Sequence, residues 1–463
     1  MLFNSFVFFV FFFFLHLVYW NIDSKKKKYL LIFSSIFFYG FWSISFLFHF
    51  LFIVCVNYFF YRFTYLKLTK TKLFFGILIN LFNLVIFKYW NFLHSVLFDI
   101  LGLLNFIGIV GLENKPTTEI ILPLAISFYT FQIIGFHIDN YRKEISDKIS
   151  LLEFSTFILF FPQLVAGPIM RFQEFISRFR KKKYISEKSN YVALFFILSG
   201  LVKKVIIADS IASAIDPIFA NPADYNWKSL VLGVYGFSIQ IYCDFAGYSD
   251  IARGLSLSLG IKIPANFKSP YFSFSFSEFW TRWHITLSRW LKDYLYIPLG
   301  GNKISKYRTL WNLFFTMVIG GVWHGANYTF LIWGFLHSLY LIFERIFFRK
   351  RNFYPLWEKI IRGVVVFHLV ALAWIFFRSD SVSKAFTITK GILSKSHGLN
   401  SNMPNAPLLI LLFFLLHYFE YSPKSFGFVR RNFRVSLPVF GFLVAVVIVT
   451  ITSNSMSFIY FQF

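Results

Sequence analysis

Charged residues and cysteines are scarce in this 463-residue sequence. Charged side chains make up 14% of it, whereas an ordinary globular chain is roughly 25% charged. A water-soluble protein of this composition has too few polar groups to cover its surface, and a disordered chain needs far more charge. The two cysteines, Cys55 and Cys243, supply neither a disulfide framework nor a cysteine metal site. These shortages exclude soluble, disordered and disulfide-stabilised proteins.

Apolar residues are abundant and occur in long runs. They account for 57% of the chain, and the mean hydropathy is +0.62. Because a spanning helix needs ~20 apolar residues, we predict an all-α integral membrane protein with about ten to twelve transmembrane helices, accompanied by interfacial or re-entrant helices. The candidate segments, several of them too short to cross alone, are 2–20, 29–42, 45–62, 73–95, 118–139, 151–166, 191–213, 228–251, 309–323, 327–347, 361–378, 405–421 and 435–454.

One further apolar segment, Val96–Val110, does not fit as a crossing. The basic loops before and after it, Arg62–Lys72 and Arg142–Lys148, lie on one side only if an even number of crossings separates them. We therefore expect this segment to lie in the interface or to re-enter the membrane. The sequence has no clear internal repeat and no soluble domain. It predicts a single membrane domain over 1–463, with its core motifs between 120 and 345.

The basic residues indicate how the chain lies in the membrane. There are 46 lysines and arginines, which give a net charge of +25. Cytoplasmic loops of membrane proteins collect such residues, and no polar domain here presents a basic stripe to nucleic acid. We expect membrane lipids as partners and no nucleic acid. Lys25–Lys28 follows the first apolar run, which no basic residue precedes, so we expect this run not to be a cleavable signal. We predict a multi-pass protein of the inner cell membrane with its N-terminus outside.

The first motif of chemical interest lies within an apolar segment. Tyr242–Asp250 contains two aspartates, Asp244 and Asp250. A charged side chain at membrane depth costs roughly 2.5–3.5 kcal/mol on insertion scales, so both aspartates need partners or water.

The second motif is Phe279–Tyr294. If it is wound as one helix, its large apolar side chains fall within one arc and its charged side chains lie opposite. This pattern predicts an amphipathic helix in the membrane interface, anchored by tryptophans. His284 lies at the edge of the aromatic face, and an interfacial anchor has no need of it.

The third motif is Val318–Asn327, between two apolar segments. His324 is therefore expected well below the membrane surface. Glycines on both sides of it allow another chain or a ligand to approach the backbone. The plainer alternative is a helix break at which the histidine binds a neighbouring carbonyl.

A buried, neutral imidazole suits one kind of chemistry. Histidine titrates near pH 6.5 and can take a proton from a hydroxyl group, which then attacks an acyl donor. The sequence contains no G-x-S-x-G elbow, no P-loop and no H-E-x-x-H zinc motif. The other histidines are isolated, and we interpret them as packing or interface residues: His16, His49, His94, His137, His337, His368, His397 and His417.

Together these motifs resemble the membrane-bound O-acyltransferases, specifically their bacterial polysaccharide branch. The resemblance covers most of the chain and is densest from about 120 to 345. The matching segments, in order, are Pro123–Gln132, Phe160–Ile169, Asp244–Asp250, Arg282–Ser288 and Trp323–Gly325. Ile297–Asn302 and the Gly320–Gly321 pair are more similar to the alginate O-acetylase subgroup than to the D-alanyl transfer proteins of teichoic acid.

The resemblance implies a ring of helices around a thinned centre, with a cytoplasmic funnel and a tunnel to the other face. It implies that His324 is the catalytic histidine and that His284 is the second histidine of the family. Other side chains expected to bind substrate or line the tunnel are Trp323, Gly320, Gly321, Asn327, Trp283, Arg282 and Asp244. Arg282 and Arg289 are candidates for binding a phosphate-bearing donor, and contact with lipid phosphates is the alternative.

The resemblance also implies the reaction. An acyl donor such as acetyl-CoA arrives from the cytoplasm as a substrate, with no bound cofactor or metal. The acetyl group passes to an exported polysaccharide, alginate-like or of the cell wall, through a separate exported esterase-like partner protein. The alternatives are D-alanyl transfer to teichoic acid, a transporter or flippase, and a structural subunit of an export complex.

Overall fold

The structure is a computed structural model that describes residues 1–106, 120–145, 147–165, 167–181, 186–348, 353–401, 403, 405–422 and 431. The described residues form helices and no strand. The α-helices are α1 Phe6–Asn21, α2 Ser24–Gly40, α3 Ile44–Thr64, α4 Lys70–Leu84, α5 Trp90–Phe106, α6 Ile126–Tyr141, α7 Leu151–Leu159, α8 Phe161–Leu164, α9 Phe172–Phe179, α10 Glu187–Leu201, α11 Asp209–Ala220, α12 Trp227–Ser258, α13 Phe276–Arg282, α14 Ile285–Leu291, α15 Lys306–His324, α16 Tyr328–Phe347, α17 Leu356–Arg378, α18 Val382–Leu393 and α19 Ala406–Tyr421. Three π-helical segments, Val85–Tyr89, Val202–Ala208 and Lys292–Tyr296, continue α4, α10 and α14.

Several of these helices are long and apolar enough to cross a membrane. In the described part of the chain, six helical stretches meet this requirement: Ile44–Thr64, Lys70–Gly102, Glu187–Ala220, Trp227–Ser258, Tyr328–Phe347 and Leu356–Arg378. The shorter apolar helices α1 and α19 accompany them. Large side chains such as Phe48, Phe52 and Phe59 on α3 are exposed, as lipid-facing residues are. The prediction of an all-α, multi-pass membrane protein is confirmed.

Helix α12 lies at the centre of the bundle. It is 32 residues long, and 83% of the residues in its most apolar stretch are buried. Small residues let α10 approach it closely, because a Cβ atom added at Gly200 would lie 2.5 Å from the carbonyl oxygen of Gly247. Such contacts between small residues are typical of packed membrane helices. Gly247 belongs to the motif around Asp244, so part of that motif serves helix packing.

The two ends of α2 distinguish the two sides of the bundle. Lys25–Lys28 lies in its first turn, and we call this end the basic side. Trp42 follows its last turn at the opposite end, which we call the far side. Helix α6 begins on the far side, where the hydroxyl group of Tyr39 donates to the carbonyl oxygen of Leu124 at 3.2 Å. It ends on the basic side at Arg142.

The expected interfacial helix over 279–294 is instead a re-entrant hairpin. Helix α13 starts beside Glu344, near the basic-side end of α16, because that carboxylate accepts hydrogen bonds from the backbone amides of Phe276 and Ser277. It then follows α16 inward, with Trp280 against His337 and Trp333. A helical-wheel pattern assumes one continuous helix, so it could not predict that the chain reverses direction within this segment.

The second half of the hairpin returns to the basic side. Trp290 of α14 stacks on Phe131 of α6, with ring centroids 3.7 Å apart. Further along, Tyr294 donates to Asp139, and Arg142 donates to the carbonyl oxygen of Asp293. The apolar side chains of 279–294 are therefore packed inside the protein and do not anchor it in the interface. The hairpin tip is at Trp283 and His284.

Two other predicted segments differ in detail. Residues 96–106 continue the helix formed by α4, Val85–Tyr89 and α5, so this part is not a separate helix. The rest of Val96–Val110 is outside the described residues, as is the predicted span 435–454. Segment 151–166 is broken at Phe160 into α7 and α8.

Candidate active site

His324 is the last residue of α15, and its ring is packed among aromatic side chains. Its residue is 3% exposed. The centroid of its ring lies 5.0 Å from that of Trp323, 5.1 Å from that of Trp333 and 5.3 Å from that of Phe377. Gly325 then ends the helix in an extended conformation, and a Cβ atom there would lie 2.0 Å from the ring of Phe330. This position therefore requires glycine.

His284 forms the tip of the re-entrant hairpin and faces His324. The ring centroids of the two histidines are 6.2 Å apart. His284 is fully buried, and neither of its ring nitrogens has a hydrogen-bond partner among the described residues. Its φ of 41° lies in the left-handed region, which is uncommon for a residue with a side chain. A strained residue of this kind at membrane depth marks a candidate functional site.

Neighbouring backbone and side chains hold this tip in place. The carbonyl oxygen of Asn266 accepts a hydrogen bond from the amide of Ile285 at 2.8 Å. The side-chain oxygen of Asn266 accepts from Thr286 at 2.6 Å, and its amide group donates to Ser249 at 3.2 Å. Thr286 in turn accepts from the amide of Ile169 at 2.9 Å. Three of the sequence motifs thus meet behind His284.

A cavity of 190 Å³ reaches His324 from the far side. Its wall includes Trp42, Pro123–Phe128, Lys88, Trp323 and His324. The first of these residues follows the far end of α2, and Pro123–Phe128 leads into α6. The matching motif Pro123–Gln132 therefore begins at the mouth of this cavity. A hydroxyl group entering from the far side would meet the imidazole of His324.

Sequence reasoning missed Lys88 and Tyr89, which hold the end of α15. Lys88 Nζ donates to the carbonyl oxygens of Trp323 and His324 at 2.8 and 3.0 Å. The hydroxyl group of Tyr89 donates to the carbonyl oxygen of Val322 at 2.8 Å. The sequence did contain a signal. A lone lysine inside the apolar run Leu73–Trp90 costs free energy at membrane depth, and such residues usually have a function.

Three of the predicted site residues serve the surrounding structure. Trp283 is buried within an aromatic cluster and stacks on Phe279, with ring centroids 5.6 Å apart. Arg282 pairs with Glu278 at 2.7 Å. Asn327 caps α16 by accepting from the amide of Thr329 at 3.0 Å. None of the three is among the residues that line the far-side cavity.

The two glycines before His324 differ in their surroundings. A Cβ atom on Gly321 would lie 2.4 Å from the carbonyl oxygen of Phe330, so this residue lets α15 and α16 pack closely. A Cβ atom on Gly320 would meet Leu291 of the re-entrant hairpin at 3.2 Å. The close approach expected at these glycines is thus made by neighbouring helices.

Sequence comparison identifies the family. The pattern of the membrane-bound O-acyltransferase family (MBOAT) matches residues 29–382. The chain belongs to this family. It is 36% identical over 426 residues to a probable alginate O-acetylase of Pseudomonas aeruginosa, covering 88% of this chain and 79% of the relative. It is also 36% identical over 405 residues to the peptidoglycan O-acetyltransferase of Helicobacter pylori, covering 80% and 73%. The protein is thus an acyltransferase.

A second group of relatives is more distant. The teichoic acid D-alanyltransferase of Bacillus subtilis is 31% identical over 281 residues, which cover 57% of this chain and 70% of the relative. Both the identity and the coverage are lower than for the O-acetylases, which agrees with the resemblance of Ile297–Asn302 and Gly320–Gly321 to that subgroup.

In this acyltransferase the buried aspartates have the partners that their position requires. Asp244 lies 2.6 Å from Lys204, and Asp250 lies 2.6 Å from Lys203. Both lysines are in the π-helical segment Val202–Ala208, and both are almost fully buried. The expectation that the aspartates are paired is confirmed. Asp244 therefore belongs to an ion-pair network between α12 and the segment after α10, away from the far-side cavity.

A second cavity lies on the basic side, next to the start of α13. It has a volume of 860 Å³ and is lined by three cationic side chains, Arg345, Lys359 and Arg362. Glu278 and Glu344 also line it. Within the described part of the chain, no group of three histidine, cysteine or acidic side chains is arranged to hold a metal ion.

Proposed function

We propose that this acyltransferase moves an acetyl group from a donor on the basic side to a hydroxyl group on the far side, for O-acetylation of an exported polysaccharide. The observation that carries the proposal is the pair of buried imidazole rings, 6.2 Å apart, of which that of His324 lines the far-side cavity. The relatives support a polysaccharide as the acceptor, because their names give alginate and peptidoglycan as the polymers that are O-acetylated.

The proposed mechanism is direct transfer with His324 as general base. Its imidazole takes the proton of the acceptor hydroxyl group, whose oxygen attacks the carbonyl carbon of the acetyl thioester. The carbon–sulfur bond breaks, and the departing thiolate receives the proton from the imidazolium. General base catalysis of this kind contributes ~10²–10⁴-fold to the rate. His284 orients the donor or assists His324, and Trp323 shapes the pocket, while Gly320 and Gly321 let Leu291 and α16 pack against the end of α15.

The donor is proposed to be a coenzyme A thioester that enters from the basic side. Its phosphates need cations that are not already neutralised. Arg282 and Arg289 are poor choices, because they pair with Glu278 at 2.7 Å and with Glu174 at 2.6 Å. The basic-side cavity beside α13 offers Arg345 and Lys359 instead. From there the re-entrant hairpin leads inward to His284.

The membrane orientation and the acceptor follow from the same proposal. The basic side is cytoplasmic, because loops rich in lysine and arginine stay inside. The N-terminus is then outside and the protein lies in the inner membrane. The acceptor is the hydroxyl group of an exported glycan, or of a separate exported esterase-like protein that passes the acetyl group on. One membrane domain over 1–463 carries out the transfer.

The test uses the chain in a host that lacks its own copy. Ester-bound acetate on the exported polysaccharide is released with mild base and quantified for the wild type, His324→Ala and His284→Ala. The matched control is His368→Ala, whose exposed ring binds the carbonyl oxygen of Val364 on its own helix. We expect His324→Ala to abolish acetate and the control to retain it. Full acetylation by His324→Ala, at equal membrane abundance, overturns the proposal.

A second measurement identifies the donor. Purified protein in proteoliposomes is given acetyl-CoA, and release of the free thiol is followed together with labelled acetate in the acceptor fraction. Activity with a carrier-bound D-alanyl thioester and none with acetyl-CoA would instead support the teichoic acid reaction.

A further inference from the structure

We propose that Lys88 is a positioning residue for acyl transfer, which holds the last turn of α15 so that the imidazole of His324 faces both His284 and the far-side cavity. The inference rests on the proposed role of His324 and adds a residue to it. Lys88 lies 236 positions before His324 in the sequence.

The contacts of Lys88 use every hydrogen that its ammonium group can donate. Nζ lies 2.8 Å from the carbonyl oxygen of Trp323, 3.0 Å from that of His324 and 3.4 Å from the hydroxyl group of Ser127. An ammonium group has three donors and no acceptor. Because all three donors have protein partners, Lys88 acts through α15 and not by direct contact with the substrate.

These carbonyl groups are the ones that a helix leaves unsatisfied. The last four carbonyl oxygens of an α-helix have no partner within it, and they carry the negative end of the helix dipole. Cations stabilise such ends, and lysine side chains bind the last carbonyl groups of helices. At the end of α15, where Gly325 leaves the helix, Lys88 and Tyr89 together bind three successive carbonyl groups, those of residues 322–324.

The position of Lys88 in its own helix also points to function. It lies in the π-helical turn Val85–Tyr89, and such turns inside α-helices occur frequently at functional sites. The same turn supplies Tyr89, so two neighbouring side chains reach one helix end. Lys88 also lines the far-side cavity. A lysine that served only the stability of the fold would not need to line the cavity through which the acceptor substrate is proposed to enter.

The function of Ser127 follows from the same geometry. It lies in the motif Pro123–Gln132, at the first turn of α6, and binds the third donor of Lys88. The motif that borders the cavity mouth and the helix that ends in His324 are thus joined through a single ammonium group. Displacement of that group frees the end of α15 to move against α6.

The experiment compares Lys88→Met, Lys88→Arg and Tyr89→Phe with the matched control Lys72→Met, an exposed lysine on the same helical stretch. Rates are measured in proteoliposomes with acetyl-CoA, at protein amounts matched by size-exclusion profile. Misplacement of a catalytic group by about 1 Å costs up to ~10²-fold in rate. We therefore expect Lys88→Met to lower kcat by about 10–100-fold, with the KM for acetyl-CoA changed by less than about 2-fold.

The other variants make the result specific. Lys88→Arg retains a cationic donor and should recover most of the rate, whereas Tyr89→Phe should lose only a few-fold. Because Lys88 acts through His324, any rate that remains detectable in His324→Ala should fall no further when Lys88→Met is added. If Lys88→Met does not accumulate in the membrane, Lys88→Gln is judged by the same criteria.

Two results would overturn the inference. One is a Lys88→Met protein with wild-type kcat while His324→Ala is inactive. This result would refute the role of Lys88 and leave the proposed function intact. The other is an equal loss of folded protein in Lys88→Met and Lys88→Arg with normal kcat in the folded fraction, which reduces Lys88 to a scaffold residue. An active His324→Ala protein instead refutes the proposed function itself.

Discussion

The ion pair of Lys204 and Asp244 offers a direct test of whether Asp244 serves structure or chemistry. Lys204 Nζ lies 2.6 Å from Asp244 and 2.8 Å from Asp209. The three side chains are 2%, 2% and 7% exposed. Lys204→Met removes the cation that both buried carboxylates contact. Removing one partner of a buried pair costs about 3–5 kcal/mol, and we expect a loss of stability of this size.

Asp244→Asn is the gentler change, because the pair of Lys204 with Asp209 remains. It replaces a charge by a neutral amide, and we expect a loss of about 1–3 kcal/mol. The double variant should lose less than the sum of the two single changes, since residues in contact are coupled. The matched control is Lys384→Met, whose partner Asp380 is 67% exposed. A surface pair of this kind contributes about 0–1 kcal/mol.

The assay is thermal or SDS unfolding of purified protein, followed by fluorescence-detected size exclusion. The rate of acetyl transfer is measured on the folded fraction. If Asp244 is structural, Asp244→Asn lowers stability and leaves the rate per folded molecule within about 2-fold of wild type. A variant as stable as wild type but inactive would show that Asp244 takes part in the reaction, and the reasoning from its ion pair would be refuted.

Three further predictions concern other parts of the site. Gly321→Ala places a Cβ atom 2.4 Å from the carbonyl oxygen of Phe330, so we expect about 1–3 kcal/mol lower stability in the same unfolding assay. Asn327→Ala removes a helix cap and should cost about 1 kcal/mol with no change of rate; a loss of rate at unchanged stability would contradict this. Ser127→Trp should fill the far-side cavity and lower acetate on the exported polymer, while acetyl-CoA binding by calorimetry is unchanged; normal acetylation would place the acceptor route elsewhere.

Much of the membrane architecture was predictable from composition alone. Long apolar runs must become helices in a bilayer, because the backbone has no other way to satisfy its polar groups. The limit of this reasoning is seen at Phe160 and at residues 96–106. At Phe160 the predicted span 151–166 is broken into two short helices. Residues 96–106 extend a helix that the sequence predicted to end at residue 95. Both depend on packing against neighbours that the local sequence does not specify.

The two histidines were proposed as candidates from the sequence, but the geometry between them could not be predicted from it. A helical pattern runs through 279–294 without interruption, so periodicity gives no sign of the reversal at His284. The left-handed conformation there is fixed by remote contacts, chiefly the backbone carbonyl of Asn266. Tertiary packing thus overrides a strong local preference for helix.

The sequence predicts that the buried charged side chains have partners, but it does not predict which residues those partners are. The sequence shows that Asp244 and Asp250 need partners or water, and that placing the charge of Lys88 inside an apolar run costs free energy. It does not show that Lys203 and Lys204, some 40 to 47 positions earlier, are the partners of the two aspartates, nor that Lys88 finds backbone carbonyls. Pairing across such distances is decided by the fold.

The re-entrant hairpin carries one of the two histidines of the proposed reaction centre to its place beside His324. Non-helical backbone at membrane depth is tolerated only where protein buries it or a cavity borders it. The hairpin tip meets this condition, because Trp283 donates to Phe279 and Ile285 donates to Asn266, while His284 is enclosed by aromatic rings. No helix has to cross the bilayer at this point.

The far-side cavity completes the arrangement. It ends at Trp323 and His324, and the ring of His284 lies 6.0 Å from that of Trp323 on the other side. In the proposed mechanism, a donor that follows the hairpin and a hydroxyl group that fills the cavity meet at the rings of these two histidines. The proposed mechanism includes no rocking of one half of the protein against the other, and in this it differs from that of an alternating-access transporter.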